Sequence, residues 1–477
     1  MRLPVLLFLT IACLQACQNN PSNPSNASNP SNPSNPSNAI DSLFATYHRE
    51  RAPFYPLEST FAGERKYNDL LPNTNTQEYR RQLRTFYQKY QTLLKAYKPA
   101  SLTPNQRMSY DILFWECEVN LHQLEFPTEL MPINQFDCIP LMMGQLAGGT
   151  SGQPFKTVED YDLWLRRVDQ FVIWCDTAIA NMRRGMDAGY VLPKTLTEKM
   201  IPQWQSFAHG RAEKHHYYGP ITLMPEDFPA TEQQRIKETY LAMITEKIIP
   251  VYHRMHQFLV KEYLPASKAS SGIADIPDGK AYYDHQIRIY TTTTMSADDI
   301  FTLGEKEVAR LSAEMEKVKV AVGFTGDLKS FFDHVRTRKE LMPFTQPQQV
   351  IDHFNQVHDR MKPQLSKLFD LTPKTPFVVK RTEAFREATA APEYVQGTLD
   401  GSRPGTFYVP IPKAREYNMF ADEDLFLHEA IPGHHYQISL QQENTQLPDF
   451  RRTLWYSAYG EGWALYTESL GKELGLY

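Results

Sequence analysis

The stretch "SADDIFTLGEKEVARLSAEMEKVKV", residues 296–320, shows most clearly how this chain folds. Its apolar residues recur every three or four positions, which places them on one face of an α-helix. Ser296 and Asp299 form a capping pair at its start, where backbone N–H groups lack helical partners. The same periodicity predicts helices over 77–97, 104–126, 158–186, 231–263, 348–369 and 449–474. The sequence therefore predicts a mainly α-helical fold.

Two short segments are predicted to be extended. "PFVVKR" (376–381) is β-branched and begins with a proline, and "GSRPGTFYVPIP" (401–412) alternates in side-chain type. Pro404 and Pro410 lack the N–H group that an inner strand donates, so the second segment is predicted to be an edge strand. An edge strand can pair with an extended peptide; a plain surface hairpin is the alternative. The candidate substrate-binding residues on it are Arg403, Thr406 and Tyr408.

Length and composition indicate a large soluble protein. The chain has 477 residues, of which 42% are hydrophobic and 22% charged, and this length allows two or three lobes. A net charge of -5 gives no electrostatic reason to expect nucleic acid as a partner.

The first residues are predicted to direct the chain out of the cytoplasm. Arg2 precedes an apolar run over 3–14, which is too short to span a bilayer and is typical of a signal peptide. It ends in "LQAC" (14–17), which resembles the lipobox of bacterial lipoproteins. We therefore interpret residues 1–17 as a lipoprotein signal and Cys17 as the lipidated residue that anchors the protein to a membrane. An ordinary signal peptide with a chance cysteine is the alternative.

Residues 18–39 repeat proline, serine and asparagine and contain no large apolar side chain. Such a segment cannot form a core and is predicted to be an extended tether. It would join the anchor to a domain over 40–477. Gln18 is not the aspartate that commonly retains lipoproteins at the inner membrane, which favours the outer membrane.

Three cysteines follow in the domain: Cys117, Cys138 and Cys175. They are too few for a disulfide framework, although one pair could form.

The candidate chemistry centres on "HEAIPGHHYQ" (428–437), a variant of the zinc-protease motif H-E-x-x-H. The position four after His428 is Pro432, which cannot bind metal and is poorly tolerated inside a helix. In a regular helix His434 would face away from His428. His435 would share its face but lie ~10.5 Å away along the axis. Neither histidine therefore joins His428 unless the helix is interrupted.

Pro432 and Gly433 offer that interruption, because proline removes a backbone donor and glycine permits unusual dihedral angles. A bulge between Ile431 and His434 would bring the second imidazole back toward the first. His434 is favoured over His435 because many H-E-x-x-H helices carry glycine just before the second histidine. His435 is then a pocket residue that contacts a ligand, or an alternative ligand.

A third ligand is expected from "YGEGWALYTESLGKEL" (459–474), because catalytic zinc sites use three protein ligands and a water. Glu461 is the candidate. Glu468 lies two turns further along the same face, so both cannot bind one ion; it would orient a histidine or replace Glu461. Glu429 follows the first histidine directly, where H-E-x-x-H enzymes place the general base.

These motifs resemble the bacterial family catalogued as domain of unknown function 885, and the similarity extends over most of the body. The similar segments are the 428–437 motif, "EGWALYTE" (461–468), "DGSRPGTFYVP" (400–410), "MPINQFD" (131–137) and "IRIYTTTTMSADDIFTLGEKEV" (287–308). The resemblance implies a zinc metallopeptidase distantly similar to helical gluzincins, such as thimet-type oligopeptidases and thermostable carboxypeptidases.

The resemblance further implies a large two-lobed helical body around a deep channel, with a small β-sheet whose edge strand precedes the zinc helix. One Zn²⁺ ion would be held by His428, His434 and Glu461, with Glu429 as base. The chain stops directly after the predicted ligand helix, whereas members of that family continue, so the domain over 40–477 is expected to be incomplete at its C-terminus.

We therefore expect a lipid-anchored, extracytoplasmic zinc hydrolase that cleaves peptide bonds. Two other functions remain compatible with the sequence: a zinc hydrolase of cell-wall or non-peptide amides, and a tethered binding lipoprotein without activity.

Overall fold

The computed structural model describes residues 36–477. The predicted signal over 1–17, the lipidation at Cys17 and most of the predicted tether therefore lie outside the described residues. The first helix begins at Pro36 and ends at Arg51. The last four residues assigned to the tether from the sequence are thus helical.

Nineteen α-helices occur in the described part of the chain, and each predicted helical region contains at least one of them. The region predicted over 449–474 is divided into two helices. The helices are α1 (Pro36–Arg51), α2 (Pro56–Ala62), α3 (Gln77–Leu94), α4 (Pro104–Gln123), α5 (Ile139–Ala147), α6 (Val158–Ala188), α7 (Lys194–Phe207), α8 (Gly219–Thr222), α9 (Ala230–Met243), α10 (Ile249–Phe258), α11 (Leu264–Ala266), α12 (Gly279–Thr291), α13 (Ala297–Ala321), α14 (Leu328–Thr337), α15 (Pro347–Met361), α16 (Asp422–Glu429), α17 (His434–Glu443), α18 (Asp449–Arg452) and α19 (Ser457–Glu468).

The N-terminal helices form two cores. One surrounds α6, where Trp164 and Trp174 are almost completely buried with Trp204 of α7. The other lies between α1, α3 and α4 and is mainly aromatic. Tyr47 packs edge-on against Phe450 of α18, with ring centroids 5.6 Å apart. The C-terminal part of the chain is therefore packed onto its first helices.

The small sheet has three strands: β1 (Phe377–Arg381), β2 (Glu393–Val395) and β3 (Gly405–Val409). Its order is β1-β3-β2, with β1 parallel and β2 antiparallel to β3. The prediction that the 401–412 segment forms an edge strand is therefore wrong. Pro404 and Pro410 lie just outside the paired residues, so the central strand loses no hydrogen bond to them.

A third core joins this sheet to the helices that carry the candidate site. Phe407 of β3 packs edge-on against Phe354 of α15, with ring centroids 5.1 Å apart. Phe426 and Leu427 of α16 are completely buried in the same core. Burial of these side chains fixes α16 against the sheet.

The predicted helix over 296–320 is present as α13, and its capping pair is confirmed, since Ser296 Oγ accepts a hydrogen bond from the Asp299 N–H. Its apolar side chains are nevertheless exposed; Phe301 retains 68% of its accessible surface and Val308 65%. Among the described residues, no helix has the length and apolar character that crossing a membrane requires.

The cysteine pair that the sequence allowed does not form among the described residues. Cys117, Cys138 and Cys175 are all buried free thiols. They lie in two different cores, Cys117 in the aromatic core and the other two around α6. Burial raises the pKa of the Cys138 thiol to about 12, so it behaves as a small apolar side chain.

Candidate metal centre

The main chain breaks between α16 and α17, inside the 428–437 motif. Ala430 (φ -108°, ψ -100°) and Gly433 (φ -74°, ψ -132°) both leave the helical region, and α17 begins at His434. The peptide bond between Ile431 and Pro432 is cis. The predicted interruption is therefore present, and it begins one residue earlier than the sequence indicated, at Ala430.

Gly433 is required at this break because the loop folds back onto the end of α16. A Cβ atom at this position would collide with the backbone carbonyl oxygens of Leu427 and His428. Helix α19 holds the loop from the other side. Trp463 Nε1 donates to the Pro432 carbonyl over 2.8 Å, and Thr467 Oγ1 donates to the Leu427 carbonyl over 2.9 Å.

The break brings His428, His434 and Glu461 together, with one potential ligand atom from each lying within 4.8 Å of the others. Glu461 Oε2 lies 3.4 Å from His428 Nε2 and 3.5 Å from His434 Nε2. Ligand atoms bound to zinc at ~2.0–2.1 Å in a tetrahedron are ~3.3 Å apart. The two distances from Glu461 therefore match the spacing of ligands around a small tetrahedral cation. The two imidazole rings are nearly perpendicular, at 88°.

Glu468 contacts the other nitrogen of His428, as expected for a residue that orients a histidine. Its Oε1 atom lies 2.7 Å from His428 Nδ1. This contact points His428 Nε2 toward Glu461 and favours the tautomer with its proton on Nδ1, which leaves a lone pair on Nε2. On the other side, the Trp455 ring packs against His434 at 5.5 Å between centroids.

Two residues of the site, His434 and Glu429, have pKa values shifted by their surroundings. Burial, followed by the neighbouring His428, lowers the pKa of His434 to about 4, so its imidazole is neutral at pH 7. Burial, Glu461 and Glu393 raise the pKa of Glu429 to about 7, against the opposing effects of His428 and the Tyr394 backbone N–H. Glu429 is thus able to gain and lose a proton near neutral pH.

The geometry separates His435 from this cluster. Its Nδ1 atom lies 2.9 Å from the Tyr394 hydroxyl and 3.3 Å from Ser439 Oγ. His435 is 2% exposed and connects α17 to β2. Gly405 of β3 packs so close to this pair that a Cβ atom there would collide with both side chains.

Comparison with known proteins places the chain in a family. A family described as "Bacterial protein of unknown function (DUF885)" matches residues 56–477. The chain belongs to the DUF885 family. No match is found among curated proteins.

A solved structure shares the fold of this DUF885 chain. It is described as "The crystal structure of the putative lipoprotein from Colwellia psychrerythraea" and superposes with a TM-score of 0.82. The two sequences are 21% identical, and the match covers 92% of this chain and 78% of the other. The helical architecture is therefore shared.

The structure does not place the three predicted substrate-binding residues at the site. Arg403 donates through Nη2 to the Phe61 carbonyl over 2.6 Å. Thr406 and Tyr408 are 3% and 5% exposed inside the central strand. None of the three lines the cleft that contains the histidines. The substrate-binding role predicted for them required an edge strand, whereas β3 pairs with β1 on one edge and with β2 on the other.

The strand that the sequence analysis missed, β2, takes the edge position. Its residues Glu393–Val395 line the cleft beside Glu429. β2 pairs only with β3 in the described sheet, so it forms one edge of that sheet. A three-residue strand is too short for a clear periodic signal, although "EYV" directly after Pro392 was a local indication.

The histidine cluster opens into a cleft of about 870 Å³, large enough for a short peptide. Its lining comes in part from the first half of the chain, from α1, α2 and the segment over 135–145, and in part from the second half, from β2, α16, α17 and α19. The two-lobed body stays a prediction.

Proposed function

We propose that this DUF885 protein is a zinc-dependent hydrolase of peptide bonds. The observation that carries the proposal is the spacing of Glu461 Oε2 from the Nε2 atoms of His428 and His434, 3.4 and 3.5 Å. Two imidazoles and one carboxylate are a typical ligand set for catalytic zinc. A zinc ion held there would act as a Lewis acid that polarises an amide carbonyl and activates a water molecule.

Glu429 is the proposed general base. It is the neighbour of His428 in sequence, is 7% exposed and lines the cleft beside the three candidate ligands. We infer that its carboxylate accepts a proton from the attacking water and then donates it to the departing amine nitrogen. A pKa near neutrality supports both steps.

Peptides are the proposed substrates because an extended backbone can pair with the outer edge of β2. The Tyr394 backbone N–H, which contributes to the environment of Glu429, lies on this strand. A peptide aligned on β2 would pass directly beside the base. The predicted lipobox and tether support placing the domain outside the cytoplasm, attached through Cys17.

The test combines zinc analysis with hydrolysis assays on the full chain. The wild type is expected to bind one zinc ion and to cleave members of a peptide panel faster than muropeptides. Glu429→Gln should retain zinc and lose cleavage. Cleavage of muropeptides alone would support the cell-wall alternative. Equal product from wild type and variant would refute the role of Glu429, and absence of cleavage in both would leave a binding lipoprotein as the function.

A further inference from the structure

Phe136 is an exposed aromatic residue in the wall of the cleft. Its side chain lines the same cleft as His428 and Glu429 and retains 70% of its accessible surface. It belongs to "MPINQFD" (131–137), a segment that contains none of the proposed catalytic groups. Removing a large apolar surface from water is favourable, so an exposed ring in a cleft is a place where a ligand can gain affinity.

A hydrogen-bonded turn holds Phe136 in this exposed position. The Asn134 Oδ1 atom accepts from the backbone N–H groups of Phe136 and Asp137, over 2.8 and 2.6 Å. Its Nδ2 atom donates to the Asp137 carbonyl over 2.6 Å. Such a turn orders the backbone without burying the ring. The entropic cost of covering the ring with a ligand is therefore reduced.

Helix α5 follows this turn directly and adds two apolar residues to the same wall. Leu141 and Met142 lie in its first turn, and both side chains line the cleft. Gln145 lies three and four positions further along α5 and therefore shares a face with them. The turn and the first residues of α5 thus contribute apolar surface to one short stretch of the wall.

Two contacts place this stretch of the wall beside the start of β2. Gln145 Nε2 donates to Oε1 of Glu393, the first residue of the strand, over 3.4 Å. Gln203 joins the turn to the segment that leads into β2, since its Nε2 atom donates to the Gln135 carbonyl over 2.9 Å and to Thr389 Oγ1 over 3.1 Å. The apolar wall and the outer edge of the sheet are therefore neighbours in the cleft.

We propose that Phe136, Leu141 and Met142 form an apolar subsite that receives a large apolar side chain of the substrate. An aromatic or aliphatic side chain gains free energy by leaving water there, whereas a charged side chain would lose its hydration against the Phe136 ring. The proposal rests on the proposed peptidase function and defines its preferred substrates as peptides with an aromatic or large aliphatic residue near the cleaved bond.

The position of the subsite follows from the chain that leads into β2. Thr389 precedes Tyr394 by five residues, and a chain of this length spans at most ~17 Å. The Tyr394 backbone N–H contributes to the environment of Glu429, the proposed base. A peptide paired with β2 therefore meets the subsite within a few residues of the bond that the base attacks.

The test uses hexa-alanine and forms of it in which phenylalanine replaces one alanine at each position in turn. Binding is measured on the full-length Glu429→Gln chain, and kcat/KM on the wild type. We expect phenylalanine at one position to improve both by about tenfold over hexa-alanine. The position that responds gives the distance of the subsite from the cleaved bond in substrate residues.

Variants of Phe136 decide the assignment, because its ring is exposed and its replacement leaves the cores intact. Phe136→Ala should remove most of the preference for phenylalanine, and Phe136→Leu, which keeps a large apolar side chain, should retain it. Phe301→Ala is the matched control, because Phe301 is 68% exposed on α13 and lies outside the cleft. This control should behave as wild type.

The outcomes distinguish the subsite from the peptidase function. Phenylalanine-dependent binding without cleavage by the wild type would retain the subsite and refute the peptidase. Cleavage with equal kcat/KM for hexa-alanine and every phenylalanine peptide would retain the peptidase and refute the subsite. A preference for phenylalanine that survives in Phe136→Ala would also overturn the proposal.

Discussion

Glu468 Oε1 lies 2.7 Å from His428 Nδ1, forty residues away in the chain. This contact joins α19 to α16 and sets the direction in which the other nitrogen of His428 points. Glu461 lies on the same helix as Glu468, and its Oε2 atom is 3.4 Å from that nitrogen. One helix thus supplies both a candidate ligand and the group that orients a second one.

Replacing Glu468 should weaken zinc binding without removing a ligand. Glu468→Gln keeps a hydrogen-bonding side chain but loses the charge that favours the required tautomer of His428. We expect zinc affinity to fall by about 10- to 100-fold, as measured by competition with a chelator. Glu473→Gln, an exposed glutamate near the same end of the chain, is the matched control. Equal zinc affinity in both variants would contradict this role.

Gly433→Ala should disrupt the break between α16 and α17. The added Cβ would collide with the carbonyl oxygens of Leu427 and His428, so the loop must move. We expect a loss of several kcal/mol in the free energy of unfolding, together with loss of zinc binding. Denaturant unfolding and metal analysis measure the two effects.

Gly304→Ala provides the control for this substitution. Gly304 lies within α13, where a Cβ would have no neighbour within 4 Å. Alanine at such a position should stabilise the helix by about 0.4–1 kcal/mol. If Gly433→Ala matched Gly304→Ala in stability, the close approach of the loop would not be a constraint.

Stability should depend on pH through Asp422, at the start of α16. Burial raises its pKa to about 7, although the Tyr417 hydroxyl opposes the shift by donating to Oδ1 over 2.8 Å. His353 lies 3.4 Å from Oδ2, and burial lowers the pKa of that imidazole. The unfolded carboxyl has a pKa of about 3.9. The folded state therefore binds the proton more tightly, and stability should fall as pH rises from about 4 to about 7.

Asp422→Asn tests this, because asparagine can still accept the Tyr417 hydrogen bond. The decline contributed by this group, at most about 1.4 kcal/mol per pH unit, should disappear in the variant. Unfolding free energies measured from pH 4 to 8 give the comparison, with exposed Asp352→Asn as control. Parallel curves for wild type and Asp422→Asn would refute the assignment.

The sheet order predicts which tyrosine affects catalysis. Tyr394→Phe removes the hydroxyl that contacts His435 Nδ1 at 2.9 Å, so β2 is held less firmly beside Glu429. We expect KM for peptides to rise and stability to fall by about 1 kcal/mol. Tyr408→Phe, in the central strand and outside the cleft, should leave KM unchanged. The reverse pattern would restore β3 as the strand that binds substrate.

Much of the site could be predicted from the sequence, because the sequence signals that indicate it are local. Pro432 and Gly433 cannot continue a helix, so the interruption followed from their chemistry, and only its first residue differed. Glycine often precedes the second histidine of such motifs, and this favoured His434 over His435 as the ligand. The structure places His434, and not His435, beside Glu461. The order of the strands in the sheet was predicted wrongly, because proline positions do not reveal which strand lies in the middle.

The sequence by itself determined where helices form, because periodicity and capping act within a few residues of one another. It did not determine what those helices contact. The stripe on α13 has the pattern of a buried face, yet Val308 is 65% exposed. Only the tertiary structure decided that β2 rather than β3 borders the cleft, and that Gln203 meets Gln135 there. Such contacts depend on chain segments far apart in sequence, whose pairing is set by the packing of whole cores.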